Sequence, residues 1–362
     1  MKNKSSNMKA AVILLVLILM LMTGLIYINN LNSRSALSLN DVKNLQLTGQ
    51  VEAETQNSTI TSVDDLLVEA VGTVVTARNI DGGTVWNKTM IGKVESIKSA
   101  ASKLYILDNS KNLYCLSKAG KILWEKQLTD KVKEFYTDRS GDVLIDYSYD
   151  GGAKFQIISG KGVDEGNMTL EGAYVVSFAS GKEENAISVV DISSQVLKTK
   201  ILVLNLKGDL VWSENLDNQI IPMLGYSKDN SLIAVAEKGI YKYKDQSKKQ
   251  MKADMQKTIY SASVSENGVT VVVREKNGYS AVSYDMNLKE SGTLDLEQAP
   301  TGIFQEKDRY ILYYNEKLLL ADMKGSIQAQ YKSIPEISKA YFGADDSVVL
   351  VSDRLIQKLG YQ

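Results

Sequence analysis

Few residues in this chain could do chemistry, and their types and spacing narrow what that chemistry could be. Its 362 residues include no histidine, which removes the side chain that most often acts as general base or metal ligand. Neither a Ser–His–Asp nor a Cys–His nucleophile can be assembled. The one cysteine, Cys115, lies in the run Leu-Tyr-Cys-Leu. That setting suits a small buried residue, whereas a reactive thiolate needs basic and exposed surroundings. The acidic pairs Asp64–Asp65, Glu183–Glu184 and Asp345–Asp346 are adjacent in turn-like contexts. Strand neighbours point to opposite faces, and a calcium loop needs oxygen ligands at alternate positions around a glycine, so these pairs read as solvated turns. Residues 241–257 hold Lys242, Lys244, Lys248, Lys249, Lys252 and Lys257 against Asp245 and Asp254, with Tyr241 and Tyr243 interleaved. The run reads as lysine protection of an exposed sheet edge; its functional alternative is a docking patch for an acidic cell-wall polymer. Trp86, Trp124 and Trp212 could stack sugars, but their regular placement favours packing. Asn57, Asn87 and Asn167 head Asn-x-Ser/Thr triplets that matter only in a secretory eukaryotic host. No catalytic, cofactor-binding or metal-binding residue is expected, and no cofactor.

The elements that carry these residues form a repeat. Each tryptophan follows a glycine by four residues: Gly82 and Trp86, Gly120 and Trp124, Gly208 and Trp212. Glycine takes the positive φ of a tight hairpin turn, and the returning strand then carries a large aromatic inward. A weaker copy over residues 318–331 keeps Gly325 and has Ala329 in the tryptophan position. The steps between these marks are 38, then 88 as two of 44, then 117 as three of 39. A period of about 40 with β-type patterning marks a four-stranded propeller blade. Fourth strands are predicted near residues 46, 86, 124, 168, 212, 251, 291 and 329. The fold class is therefore all-β, a single β-propeller of eight blades, or seven if residues 45–51 are only linker. In the eight-blade reading the last repeat lacks its fourth strand and residues 45–51 supply it, which removes the open sheet edges.

Residues 10–28 carry no charge and follow Lys2, Lys4 and Lys9. At 1.5 Å per residue they reach roughly 28 Å, close to the hydrocarbon thickness of a bilayer. A cleaved signal peptide is the alternative, but Ser33-Arg34-Ser35 before Ala36 is a poor cleavage site. The leading lysines put the N-terminus in the cytoplasm and the rest outside. The expected organisation is a cytoplasmic N-terminus over 1–9, a transmembrane signal-anchor helix over 10–28, an extracytoplasmic linker over 29–44 and the propeller over 45–362. With 42 basic and 43 acidic residues, no overall field favours nucleic acid.

With Trp86, Trp124 and Trp212 each four residues after a turn glycine, the chain resembles the PQQ-type quinoprotein propellers. It also looks like their non-catalytic relatives, such as the outer-membrane assembly scaffold propellers. Together with the N-terminal run, the repeats are similar to uncharacterised membrane-anchored propellers of Gram-positive bacteria. The resemblance implies a ring of blades with each tryptophan docked between neighbours. For the enzymes of that family it also implies a quinone, a calcium ion and, in many, a disulfide of adjacent cysteines. Cys115 has no such neighbour. The expected function is a membrane-anchored, non-enzymatic platform at the cell surface that binds a protein or envelope component. Residues 180–185 and 192–198 read as insertions that make the fourth blade protrude. The alternative is a degenerate quinoprotein or a carbohydrate-active propeller enzyme, which needs acidic side chains converging in the funnel.

Overall fold

The computed structural model describes residues 43–361 apart from 56–57, 193–196, 245–247, 255–256 and 344. Among these residues no helix is long and apolar enough to cross a membrane; residues 10–28, where the sequence predicts the anchor, lie outside the described part. The described part opens with β1 (Lys43–Glu52), so the strand takes in the last two residues of the predicted linker. Six antiparallel four-stranded sheets follow. They are β2 (Thr59–Val63), β3 (Leu66–Val71), β4 (Val74–Arg78) and β5 (Thr84–Thr89); β6 (Val94–Ala100), β7 (Lys103–Asp108), β8 (Asn112–Ser117) and β9 (Ile122–Gln127); and β10 (Val132–Thr137), β11 (Val143–Tyr147), β12 (Gly152–Ile158) and β13 (Asp164–Glu171). Next come β14 (Ala173–Ser180), β15 (Glu184–Asp191), β16 (Lys198–Asn205) and β17 (Leu210–Asp217); β18 (Met223–Tyr226), β19 (Leu232–Ala236), β20 (Gly239–Lys244) and β21 (Lys248–Asp254); and β22 (Ile259–Val264), β23 (Gly268–Glu275), β24 (Gly278–Asp285) and β25 (Glu290–Leu296).

The remaining strands are β26 (Gly302–Glu306), β27 (Arg309–Tyr313), β28 (Lys317–Asp322), β29 (Ile327–Lys332), β30 (Lys339–Phe342), β31 (Val348–Val351) and β32 (Leu355–Tyr361). With β1 they form one sheet, ordered β26-β27-β28-β29-β1-β32-β31-β30. It consists of two sets of four. β1 pairs antiparallel with β32 from Leu45↔Tyr361 to Glu52↔Leu355, but meets β29 only at Lys43↔Ala329 and Asn44↔Gln330, in parallel. Every predicted fourth-strand position falls in a strand: β1, β5, β9, β13, β17, β21, β25 or β29.

Burial explains why these segments are strands. β11 and β19, both second strands rich in branched aliphatics, are buried along their whole length, because neighbouring sheets cover both faces. The fourth strand β9 alternates half-buried and exposed residues, since one face meets water. The core lies between sheets. One cluster joins Val68 and Val75 to Ile97 and Leu104, and equivalent clusters link each set to the next. A last cluster sets Val349, Val351 and Ile356 against Leu67 of β3. The Tyr341 hydroxyl of β30 lies against the Ser62 hydroxyl and donates to the Asp64 carbonyl (3.0 Å). The sheets thus follow one another round a circuit that returns to its start, the arrangement of a β-propeller.

The turns between third and fourth strands lock one set to the next. Asn79, Ser117, Ser159, Asn205, Asp285 and Asp322 open six of these turns, and the side chain of each accepts the amide N–H four residues on. The residue three positions later takes positive φ, for example Gly120 at 77° and Gly208 at 85°, and a one-residue bulge follows. One residue further into each fourth strand is a docking slot. Trp86 fills it by donating its indole N–H to the Lys118 carbonyl (2.8 Å) and lying flat on Gly120, where a methyl group would sit 2.6 Å from the ring. Trp124 does the same to Gly160 (3.2 Å) and Gly162. Trp212 packs on Tyr243 with ring centroids 5.3 Å apart. Where tryptophan is missing, the neighbouring turn drops in. A methyl on Gly166 would lie 2.4 Å from the Gly208 Cα, and one on Gly292 would lie 2.2 Å from the Lys324 carbonyl carbon.

Candidate functional site

The first strand of every set contributes to one central cavity of about 890 Å³. Its lining comes mostly from the C-terminal parts of β2, β6, β10, β14, β18, β22, β26 and β30 and from turns that follow them, with Lys339 at the start of β30 also in the wall, so the funnel opens on the face that carries those turns. Neighbouring turns are tied to one another. Ser102 Oγ donates to Asp64 (2.9 Å), the Ser180 amide to Asp138 (2.9 Å), the Lys182 amide to Asn230 (3.0 Å) and the Lys228 amide to the Glu266 carbonyl (3.2 Å). Asn267 Nδ2 donates to Asp308 (3.1 Å), Arg309 pairs with Asp346, and Tyr105 donates to the Gly141 carbonyl (2.6 Å). These bonds girdle the mouth and tie each turn to the next.

Charge is unevenly placed within the funnel. Arg139 reaches from the turn after β10 to β26, where Nη2 donates to the Gln305 carbonyl (2.7 Å) and the guanidinium lies 5.4 Å from the Phe304 ring. Burial in the mouth lowers its pKa, against the nearby charges of Glu306, Asp138 and Glu266. Asp138 Oδ1 accepts from the Ser140 amide (2.9 Å), the Ser140 hydroxyl (2.6 Å) and the Asp142 amide (3.0 Å). Burial, with the Asp142 charge adding to it, raises the Asp138 pKa despite those donors. This carboxylate builds its own turn. Lys339 lies further in, and its ammonium is 5.6 Å from the Tyr341 ring centroid.

The residues singled out from sequence fall in different places. Cys115 is fully buried, and burial pushes its pKa up. The acids of two of the pairs stand on solvent-accessible turns, as read, and are ion-paired there. Lys118 Nζ reaches Asp65 (2.5 Å) and Asp64 (3.5 Å) from the next sheet, Lys358 reaches Asp345 (2.7 Å), and Asp346 holds Arg309. The hydrogen bond from Lys118 is the main cause of the lowered Asp65 pKa. Only Asp64 of these acids lines the funnel.

Lys242 corrects the edge-lysine reading. Its strand β20 is third in its sheet, covered on both faces, and the side chain is buried with Nζ on Asp229 (3.3 Å) and the Met286 carbonyl (2.8 Å) of the next sheet. Tyr241 and Tyr243 are buried with it. Lys248, Lys249 and Lys252 stand on the outer strand β21, with side chains outside the described part. Lys257 pairs with Glu275. Residues 180–185 are not an insertion, because β14 runs to Ser180 and β15 starts at Glu184. Among the described residues no three potential metal-ligating side chains are grouped to hold an ion. Sequence reasoning missed Arg139 and Lys339, which stand in no motif; the repeat places both where first strands meet the funnel.

Residues 39–360 match a family described as a family of unknown function, DUF5711. No curated protein matches the chain. Among solved structures the chain is similar to BamB from Moraxella catarrhalis, at 11% identity and a TM-score of 0.58 over 87% of this chain and 99% of that one. It is similar to Sqt1 from Saccharomyces cerevisiae, at 10% identity and 0.58 over 89% and 99%. The computationally designed protein Ika8 gives 13% identity and 0.61 over 89% and 100%. At these identities the likeness shows the fold alone, a β-propeller.

Proposed function

The chain belongs to the DUF5711 family, and we propose that it is a membrane-anchored, extracytoplasmic propeller of eight blades that binds a protein partner at its funnel mouth without catalysis. The blade number rests on eight sets of four strands, the last completed by β1. The anchor and the outward orientation rest on the uncharged residues 10–28 behind three lysines. The observation that carries the platform reading is the girdle of hydrogen bonds between turns. A mouth whose turns are tied one to the next presents loops from every blade to one partner, and binding then costs less in ordering them. A chain without histidine also lacks the usual general base.

Site-specific photo-cross-linking tests this in cells that express the full chain. A photoreactive residue at Ser140, exposed at the mouth, is expected to capture the same partner in every preparation. One at Asn87, exposed on the outer strand β5, is expected to capture none. Equal capture at both positions, or turnover of a substrate by the purified chain, would count against the reading.

A further inference from the structure

One side chain crosses the funnel. Arg139 stands in the turn after β10, and its Nη2 donates to the Gln305 carbonyl of β26 (2.7 Å). In a ring of eight sets β10 opens the third and β26 the seventh, which puts the two strands opposite each other. The turn does not need that reach. Asp138 shapes it by accepting the Ser140 and Asp142 amides and, on its other oxygen, the Ser180 amide (2.9 Å), while Asp142 accepts the Gly160 amide (2.6 Å). None of these bonds uses the guanidinium, and Arg139 is exposed to the solvent of the mouth.

The far wall has the parts of a guanidinium site. β26 is the innermost strand of its sheet, so its edge away from β27 has no strand to pair with. There the Gln305 N–H donates to Ser263 Oγ (2.9 Å), and the carbonyl accepts from Arg139. The Phe304 ring centroid lies 5.4 Å from the guanidinium carbon, and the ring packs on Tyr341 and Phe342, with centroids 6.4 and 6.2 Å away. Glu306 ends the strand two residues after Phe304, on the same face. Burial in the mouth opposes the charge of Arg139, while the charges of Glu306, Asp138 and Glu266 favour it.

A carbonyl acceptor, an aromatic face and a carboxylate together suit a flat, forked cation, whereas a lysine ammonium is compact and more strongly hydrated. The mouth carries both signs, Arg139 and Lys307 beside Glu266 and Glu306. Selection therefore falls to these contacts and not to an overall field.

We propose that Gln305, Phe304 and Glu306 form the docking site for an arginine side chain of the protein partner, and that Arg139 fills this site until the partner's arginine displaces it across the mouth. This rests on the mouth being where a protein partner binds, and it names the chemistry the partner brings. Arg139 then swings into solvent, and the turn keeps its shape because Asp138 holds it.

Removing Arg139 opens the site to a soluble mimic. Isothermal titration of the full chain, kept in solution with a mild detergent, uses N-acetyl-arginine-N-methylamide and its lysine and citrulline analogues as probes. Arg139→Ala is expected to bind the arginine probe at least about tenfold more tightly than the parent does, since no side chain has to be displaced. The same variant is expected to bind it at least about tenfold more tightly than the citrulline probe, which has the shape without the charge. The lysine probe is expected to bind more weakly than the arginine probe. Adding either Phe304→Leu or Glu306→Gln to Arg139→Ala is expected to weaken arginine binding at least about tenfold. Glu306→Gln changes charge without size, so it reads the site even where the leucine variant does not fold, and a cooperative urea transition with the parent's slope identifies the folded variants. The proposal is overturned by equal affinity of parent and Arg139→Ala, by no binding to folded Arg139→Ala, by equal binding of the lysine or citrulline probe, or by undiminished binding in a folded double variant. Any of these would leave capture of a partner from Ser140 untouched, and failed capture would leave arginine binding untouched.

Discussion

Replacing Gly292 with alanine tests how the sheets lock where tryptophan is missing. The new methyl would lie 2.2 Å from the Lys324 carbonyl carbon and 2.3 Å from its oxygen. Both are backbone atoms of a closed turn, so no side chain can swing aside. Carbon contacts are comfortable at about 3.5–4.0 Å, and the two sheets must part by more than about 1 Å to reach that distance. Overpacking of this kind costs about 1–3 kcal/mol, and parting the sheets also loosens the cluster in which Leu294 packs on Tyr310 and Leu312, so the upper end is expected. Gly82→Ala is the control. Gly82 has φ 86° with nothing within 4 Å of an added methyl, so only the left-handed backbone penalises it, by about 1 kcal/mol. Urea unfolding followed by tryptophan fluorescence reads both variants. Gly292→Ala should lower the midpoint by two to three times as much as Gly82→Ala, with an unchanged slope. Equal midpoints would refute the idea that the turn at Lys324 occupies the missing indole's place.

Three further substitutions probe the buried charges Glu69 and Lys242. Glu69 binds Arg78 (2.7 Å) and accepts the Thr55 (2.8 Å) and Glu54 (3.3 Å) amides, which ties the segment between β1 and β2 to the first sheet. Burial opposes its ionisation, but these donors outweigh it and the pKa falls below 4.5. Its contribution is therefore complete above the ordinary carboxylate range and is lost as the pH falls through the folded value. Glu69→Gln should cost about 3 kcal/mol at neutral pH, with the gap between the urea midpoints of variant and parent narrowing as the pH falls below the ordinary carboxylate range; a constant gap would contradict this. At Asp229, truncation to alanine leaves the buried Lys242 ammonium with only the Met286 carbonyl, whereas Lys242→Met leaves an acid that can turn to water. Asp229→Ala should cost about 1–2 kcal/mol and Lys242→Met less, and the reverse order of urea midpoints would contradict the arrangement.

Much of the fold was legible because its signals are local. A turn glycine four residues before Trp86, Trp124 or Trp212 fixes a third-to-fourth strand hairpin, and the period of about 40 then finds the other sets. The remaining slots were not legible, since Gly166 and Gly292 act by having no side chain. Their signal was positional: each stands four residues after the turn residue with positive φ, Gly162 or Leu288. Leu288 hides that register further, because the left-handed residue there is not glycine. Lys242 was misread because a Tyr-Lys-Tyr-Lys alternation describes an amphipathic edge, while the third strand of a propeller sheet is covered on both faces. The funnel was the least legible part. Arg139, Glu266, Glu306 and Lys339 are far apart in sequence and come together only when the first strands are gathered round one axis.

Closure of that ring by β1 is the claim on which funnel, girdle and platform all depend, and a cross-strand disulfide tests it directly. Gln50 and Gln357 are register partners on β1 and β32, joined by a 3.3 Å side-chain hydrogen bond. Opposed residues of antiparallel strands have Cα atoms about 4.5–5.5 Å apart, inside the range a disulfide spans. In the double variant Gln50→Cys, Gln357→Cys, with Cys115 buried, air oxidation should form an intramolecular bond that leaves one free thiol per chain and raises the urea midpoint. Three free thiols per chain after oxidation, or a bond found only between molecules, would contradict closure of the ring.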